Sequence, residues 1–323
     1  MRMLLPLVLS FITTFSFAAP AQSVHHLVGY YESWSEPWIS EAKDSPLSQP
    51  QKVDTVILAF MQPDASYVSK SLDLRRTGIQ VPYEGNVLKT VIQMFHTTNP
   101  QAKILLAVGG ATYNNWQNIN VSAIAKVVKD FGLDGVDVDF EVFPNCNQSA
   151  SHVQCQTDDQ LSQIISALRI ALPKPYQLTA AAWSIGAYGE GTWQHAKPQG
   201  GYTGMYLNPL LKVGDQLDGL NVMSYDAGNK TTTGYDPLEA YAAYKYYFHG
   251  RIAMGVEVPP EAWGDNVTSI PVIKNLAQAV ALHDADGIMV WSLQKKPNGQ
   301  PTENNPDAGL ILKSVCSILK TSC

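Results

Sequence analysis

The chain is poor in charge and in cysteine. Of its 323 residues only 15% are Asp, Glu, Lys or Arg, and four are cysteine. Its 22 basic and 28 acidic side chains leave a formal net charge of −6, and Lys and Arg form no cluster. The electrostatic footprint that a phosphate backbone requires is therefore missing, which argues against nucleic acid as a partner. Beyond the N-terminal segment no long uncharged apolar run occurs, so no transmembrane helix is expected there. A Pro/Ser-rich linker and an internal repeat are also lacking. One domain of roughly 300 mature residues is the economical reading, a length at which α/β barrels fold as a single unit.

The exception to this scarcity is the N-terminus. Met1-Arg2, an apolar run from Met3 to Phe17 and small residues from Ala18 to Ala21 fit a secretory signal peptide better than a bilayer span. Cleavage after Ala18 or Ala21 would leave residues 22–323 as the mature protein, expected to be extracellular or periplasmic, free of the membrane and monomeric. The cysteines form two sequence-local pairs, Cys146 with Cys155 and Cys316 with Cys323, and disulfide staples suit an exported chain. Those pairings are expected here, with three connectivities open to four cysteines. Neither pair has the short knuckle spacing of a zinc site, and no metal or organic cofactor is implied.

Short apolar, mostly β-branched runs alternate with amphipathic stretches from end to end. Strands are expected at Leu27–Tyr31, Val53–Phe60, Ile104–Val108, Gly135–Phe140, Gln177–Trp183, Gly219–Ser224, Ile252–Glu257 and Gly287–Ser292, as buried parallel strands read. Helices are expected at Glu84–Thr98, Ser122–Phe131, Thr157–Leu172, Pro237–Phe248 and Ile270–His283. About eight strand–helix alternations point to an α/β fold, a single (β/α)8 TIM barrel with its chemistry at the C-terminal strand ends.

The fourth strand carries the densest information. In Leu133-Asp134-Gly135-Val136-Asp137-Val138-Asp139-Phe140-Glu141 acidic and apolar residues alternate, so Asp137, Asp139 and Glu141 share one face at spacings of roughly 6.6 Å. At an effective dielectric near 20, like charges that far apart repel by about 2.5 kcal/mol, and desolvation adds to it. At least one carboxyl should therefore hold a proton near neutral pH, as a general acid must. The alternatives are a solvated acidic edge strand, against which the bulky intervening residues argue, and a hard-cation site, which usually draws its ligands from one flexible loop.

Asp134 to Glu141, DGVDVDFE, resembles the DGxDxDxE signature of glycoside hydrolase family 18, the chitinase family. Gly29-Tyr30-Tyr31 with Trp34 resembles the family's first-strand pattern, Met223-Ser224-Tyr225-Asp226 its MxYD motif, and Trp291 its last-strand tryptophan. The resemblance implies that Glu141 is the acid and later the base, that Asp139 orients the substrate acetamido group, that Asp137 exchanges a proton with Asp139, and that Tyr225 fixes the acetamido oxygen. The nucleophile would be the substrate's own acetamido oxygen. Tyr30, Phe60, Gly110, Met223, Asp226, Trp183 and Trp291 would contact or shape the substrate, and cis peptides are implied at Ala59-Phe60 and Trp291-Ser292. One departure stands out: the family's SxGG reads Ala107-Val108-Gly109-Gly110. The hydroxyl beside the deep aspartate is thus missing, leaving Tyr30 or a water in that role and an altered pH dependence.

Glu257 to Gly287 is too short for the α+β insertion that deepens many clefts of this family, so an open, endo-acting groove is expected. Trp34, Trp38, Trp116, Trp183, Trp193 and Trp263 are candidates to line it, at least half of them structural. The Gly/Tyr-rich stretch 186–206 reads either as a mobile lid or as a chain of turns. No separate carbohydrate-binding module is expected, so grip on crystalline chitin should be weak, and sequons at Asn120, Asn147, Asn229 and Asn266 would matter only in a glycosylating host. The resemblance implies a secreted retaining chitinase acting on chitin or chito-oligosaccharides. The rival readings are an endo-β-N-acetylglucosaminidase acting on N-glycan cores and a chitin-binding lectin, the latter disfavoured by the presence of Glu141.

Overall fold

Because successive side chains of a strand point to opposite faces, the apolar residues of this chain divide into two sets. In the computed structural model, which describes residues 25–149 and 152–321, Val56, Leu58, Ile104, Leu106, Val136, Val138 and their counterparts on other strands pack outward in the larger cluster. Val28, Tyr30, Ile57, Ala59, Leu105, Ala107, Ala181, Ala253 and Met289 form a smaller one inside the barrel. Both faces of the sheet are thus buried, the condition for a closed parallel sheet.

Eight parallel strands close the barrel in chain order, the last pairing with the first. They are β1 (His26–Glu32), β2 (Thr55–Met61), β3 (Lys103–Gly109), β4 (Gly135–Asp139), β7 (Gln177–Trp183), β8 (Gly219–Met223), β9 (Arg251–Glu257) and β10 (Gly287–Trp291). Around them run α1 (Gly85–Thr98), α2 (Val121–Phe131), α3 (Asp158–Ala171), α4 (Leu207–Val213), α5 (Pro237–Tyr247), α6 (Ile270–Val280) and α7 (Ala308–Leu319). Local rules set several ends: Asn120 caps α2, accepting from Ala123 N–H at 3.0 Å, and Gly132 ends it in the left-handed region at φ 76°, where glycine has no Cβ to clash. Asp307 caps α7 in the same way, accepting from Leu310 N–H at 2.8 Å.

Every expected strand is a barrel strand, Gln177–Trp183 with the same ends and the others with ends shifted by at most two residues, and the five expected helices are α1, α2, α3, α5 and α6. The small antiparallel hairpin β5 (Asn147–Ser149) and β6 (His152–Gln154), together with α4 and α7, had no counterpart among those expectations. The hairpin strands are polar and three residues long, and α4 has seven residues, too few for a periodic signal. Between β9 and β10 the chain forms only a loop and α6, as the length of that segment suggested. Peptides Ala59-Phe60 and Trp291-Ser292 are cis. The disulfide Cys146–Cys155 closes the base of the hairpin. Cys316 is also disulfide-bonded, while Cys323 and the expected signal peptide lie outside the described residues.

Candidate active site

Asp137 and Asp139 point into the barrel from β4, while Val136 and Val138 on the same strand, with Phe140 just beyond it, pack outward. Asp137 is fully buried and accepts three hydrogen bonds: from Tyr30 OH at 2.7 Å, Thr179 Oγ1 at 2.5 Å and Asn221 Nδ2 at 2.9 Å. Burial pushes its carboxyl above the usual range and those three donors pull it back, which is how a buried carboxylate becomes tolerable. Ala107 is the neighbour of Asp137 on β3, and Thr179 is its neighbour on β7. Tyr30 therefore does not act alone: hydroxyl and amide donors from β7 and β8 stand where the β3 serine is absent. The signal for both was a polar residue at an inward position of an otherwise apolar strand, in QLTAAAW and GLNVM.

Asp139 is 3% exposed, and its Oδ1 has no hydrogen-bond partner among the described residues. Burial, then Glu141, then Asp137 raise its carboxyl well above the ordinary value. Glu141 lies just beyond the strand end, where burial, and after it Asp226, push its carboxyl up to about 7 against a hydrogen bond from the Ala111 backbone. The three acidic side chains of the alternating run are thus brought together, and the site they form can hold a proton near neutral pH.

Above them opens a cleft of about 290 Å³ lined by Asp139, Glu141, Met223, Tyr225, Asp226 and a set of aromatic rings. Trp291 forms its centre: Phe60 stacks near it at 5.7 Å and 25°, Tyr30 meets it edge-on at 5.5 Å, and Trp34 lies 6.4 Å away. Tyr225 is 8% exposed, and burial with Asp139 nearby raises its phenol far above the ordinary value, so it is a hydroxyl donor. Gly110 has φ 77°, and a Cβ there would lie 2.8 Å from the Phe60 ring. Its place in the site is one of shape, because only glycine lets that ring sit under the turn. Asp226 also adopts a left-handed backbone, at φ 54°, and it accepts from Trp263 N–H at 2.7 Å.

Of the six candidate tryptophans, Trp34, Trp183 and Trp263 line the cleft. Trp116 is buried against Phe140 at 5.2 Å, Trp193 packs on Tyr246 and Tyr247, and Trp38 is 74% exposed outside the cleft. Gln80, Thr112 and Tyr113 line the cleft without having been foreseen. They sit on loops after β2 and β3, where no periodicity marks an inward residue. The 186–206 segment is docked rather than free: Tyr188 and Tyr206 are buried, and Gly201 carbonyl accepts from Cys146 N–H at 2.9 Å.

A parallel eightfold barrel whose carboxylate strand opens into an aromatic-floored cleft keeps its titratable groups at the C-terminal strand ends, where barrels of this build place their chemistry. The chain belongs to glycosyl hydrolases family 18, whose family description matches residues 26–260. It is 27% identical over 142 residues to Exochitinase 1 of Streptomyces olivaceoviridis, a match covering 39% of this chain and 23% of that protein. With Nod factor hydrolase protein 1 of Medicago truncatula it shares 25% over 201 residues, 57% of this chain and 48% of the relative. The matched regions thus span half or less of these curated relatives. A GH18 chitinase from Pseudoalteromonas aurantia has the same fold, with a TM-score of 0.61 at 20% identity, covering 91% of this chain and 99% of that one.

Proposed function

We propose that this protein is a secreted, retaining chitinase that cuts β-1,4-linked N-acetylglucosamine chains internally by substrate-assisted catalysis. Family membership supports the reading. The observation that carries it is Glu141, whose carboxyl burial pushes up to about 7, lining the same aromatic cleft as Asp139, whose buried Oδ1 has no partner among the described residues.

In this reading Glu141 gives its proton to the glycosidic oxygen as the bond from that oxygen to C1 breaks. The carbonyl oxygen of the substrate's 2-acetamido group attacks C1 from the other face and closes an oxazolinium ring. Asp139 Oδ1 accepts the acetamido N–H, an interaction that satisfies a buried acceptor and steadies the charge on the ring. Tyr225 donates to the acetamido oxygen and sets its angle of approach. Glu141, now a carboxylate, takes a proton from water as the water oxygen bonds to C1 and the ring opens, so the β configuration is restored. Asp137 shares protons with Asp139 as one titrating set. Trp291 offers its face to the apolar side of the pyranose, and Asp226 helps hold the same sugar.

Internal cutting is supported by a continuation of the cleft on one side. Gln80 and Tyr113 line both the cleft and a neighbouring hollow of about 400 Å³ that continues past Asp73, Arg75 and Tyr83. Export is supported by the N-terminal leader sequence and the hairpin disulfide.

The test is ¹H NMR of products from N-acetyl-chitohexaose, with Glu141→Gln in parallel and a high-mannose glycoprotein as a second substrate. Early β-anomeric products from the wild type alone are expected. Release of glycans without cleavage of the hexaose would replace chitin by N-glycans. Binding with no cleavage of either would make the protein a lectin.

A further inference from the structure

Lys295 takes no part in the reaction described above, yet it is fixed at both ends. Its ammonium, on a side chain 23% exposed, donates to the carboxylate of Glu257, which is 1% exposed, and to the carbonyl oxygen of Pro260 at 2.6 Å. Its backbone N–H donates to Ser292 Oγ at 3.2 Å. Glu257 is the last residue of β9 and Pro260 lies in the segment that leaves it, a segment that runs on into Ala262 and Trp263, which line the cleft.

The sequence of this strap explains why a side chain has to grip it. Val258 N–H donates to Trp291 carbonyl at 2.7 Å, and the next main-chain donor, Glu261 N–H, reaches Asn266 carbonyl at 3.0 Å. Between them stand Pro259 and Pro260, which have no N–H to give. At Pro259 and Pro260 the strap therefore has no backbone donor to hold it, and the Lys295 ammonium grips that stretch through the Pro260 carbonyl. Beyond it the wall is tied to Asp226: Trp263 N–H donates to Asp226 Oδ1 at 2.7 Å and Asp226 N–H to Glu261 Oε2 at 2.7 Å. Asn266 and Thr268 hold the other oxygen of Glu261 at 2.9 and 3.0 Å. Ala262 N–H completes the connection, donating to Glu257 Oε2 at 3.3 Å.

We propose that Lys295 is a positioning residue for saccharide binding: by gripping Pro260 and Glu257 it holds residues 258–263 as a rigid strap, so that Trp263 and Asp226 meet the bound sugar as one wall. This deepens the chitinase reading and rests on it. The strap acts on how well the chain is held, since its contacts form before bond breaking and persist through it, so removing the grip raises KM more than it lowers kcat. Burial pushes Glu257 up to about 7 even with the ammonium beside it. A variant without the ammonium can therefore neutralise Glu257 by taking up a proton and still fold.

The experiment compares wild type, Lys295→Met, Lys295→Arg and the double variant Lys295→Met/Glu257→Gln. Each is assayed for kcat and KM on N-acetyl-chitohexaose and for backbone hydrogen exchange over 258–266. Lys295→Met is expected to raise KM by about tenfold with kcat within about threefold, and to speed exchange in the strap. Lys295→Arg should recover most of the KM, because a guanidinium can reach both acceptors. The double variant should keep the raised KM, since Pro260 remains ungripped. A wild-type KM in Lys295→Met overturns the proposal. So does a double variant restored to wild type, which would make Lys295 only the counter-charge of Glu257. Should the wild type not cleave the hexaose, the chitinase reading fails by itself, and exchange judges the grip: unchanged exchange in Lys295→Met overturns it, and faster exchange supports it.

Discussion

Ala107 stands directly beside Asp137 in the β3–β4 register, and the carboxylate draws its donors from elsewhere: Tyr30 at 2.7 Å, Thr179 at 2.5 Å and Asn221 at 2.9 Å. Donors favour the ionised form, so removing one raises the pKa of the coupled Asp137–Asp139 set and adding one lowers it. Thr179→Val keeps the volume and loses the hydroxyl, a change of about 1.5 kcal/mol for a bond to a charged acceptor. The acidic limb of the kcat/KM profile should move up by about one pH unit. Ala107→Ser should move it down. A profile that neither substitution shifts would show that Asp137 does not govern that limb.

Glu141 sets the other limb. With its carboxyl pushed up to about 7, the acid form is lost as pH rises through that value, and kcat/KM should fall about tenfold per unit above it. Glu141→Gln should lower kcat by roughly a thousandfold while leaving oligosaccharide affinity within a few-fold.

The same shift has a stability consequence of definite sign. A carboxyl whose folded pKa lies above its unfolded value near 4.5 binds more protons in the folded state, so stability falls as pH rises between those values. Glu141→Gln removes that loss. The variant should gain roughly 1–2 kcal/mol over wild type at pH 8, after allowing for the solvent that reaches Glu141, and little at pH 4, as measured by urea unfolding at both.

Tyr202 stacks on Trp183 at 4.0 Å and 27°, with Phe143 edge-on to Tyr202 at 5.3 Å. Because Trp183 lines the cleft, the stack orients an aromatic face for sugar binding. Tyr202→Ala should raise KM for N-acetyl-chitohexaose by about three- to tenfold. Equal KM values for the two proteins would confine Tyr202 to packing.

The disulfide Cys146–Cys155 spans a sequence separation of 9 and ties the hairpin that docks on residues 186–206 through Cys146 N–H to Gly201 carbonyl and Val153 N–H to Glu190 Oε1 at 2.6 Å. Replacing both cysteines with serine should destabilise the protein by about 2–3 kcal/mol, read by calorimetry. An unchanged Tm would show that docking alone holds the hairpin.

How much of this was legible depends on the kind of signal each residue carries. Asp137, Asp139 and Glu141 announced themselves because a period of two among apolar neighbours defines a face without any knowledge of the fold. Thr179 and Asn221 were less visible: each is a polar residue at an inward position of a mostly apolar strand, and only the pairing of β4 with β7 and of β7 with β8 in a curved sheet brings them to Asp137. Gln80, Thr112 and Tyr113 were not visible at all, since loop residues have no period, and Tyr202 was visible only as one of the Gly/Tyr-rich stretch 186–206. Likewise the hairpin, built from three-residue polar strands, gave no β pattern beyond its two cysteines.

The order of the eight barrel strands, the inward face of β4 and the family motifs are properties of residues near each other in the chain, and the sequence determined them. What the tertiary structure alone decided are meetings across the barrel: three donors on Asp137 from three other strands, Asp226 beside Glu141, and Lys295 of the β10 exit gripping the β9 strap. The physical reason is that pKa, burial and reach depend on distance in space, and a closed barrel sets those distances through strand tilt and stagger rather than through any local pattern.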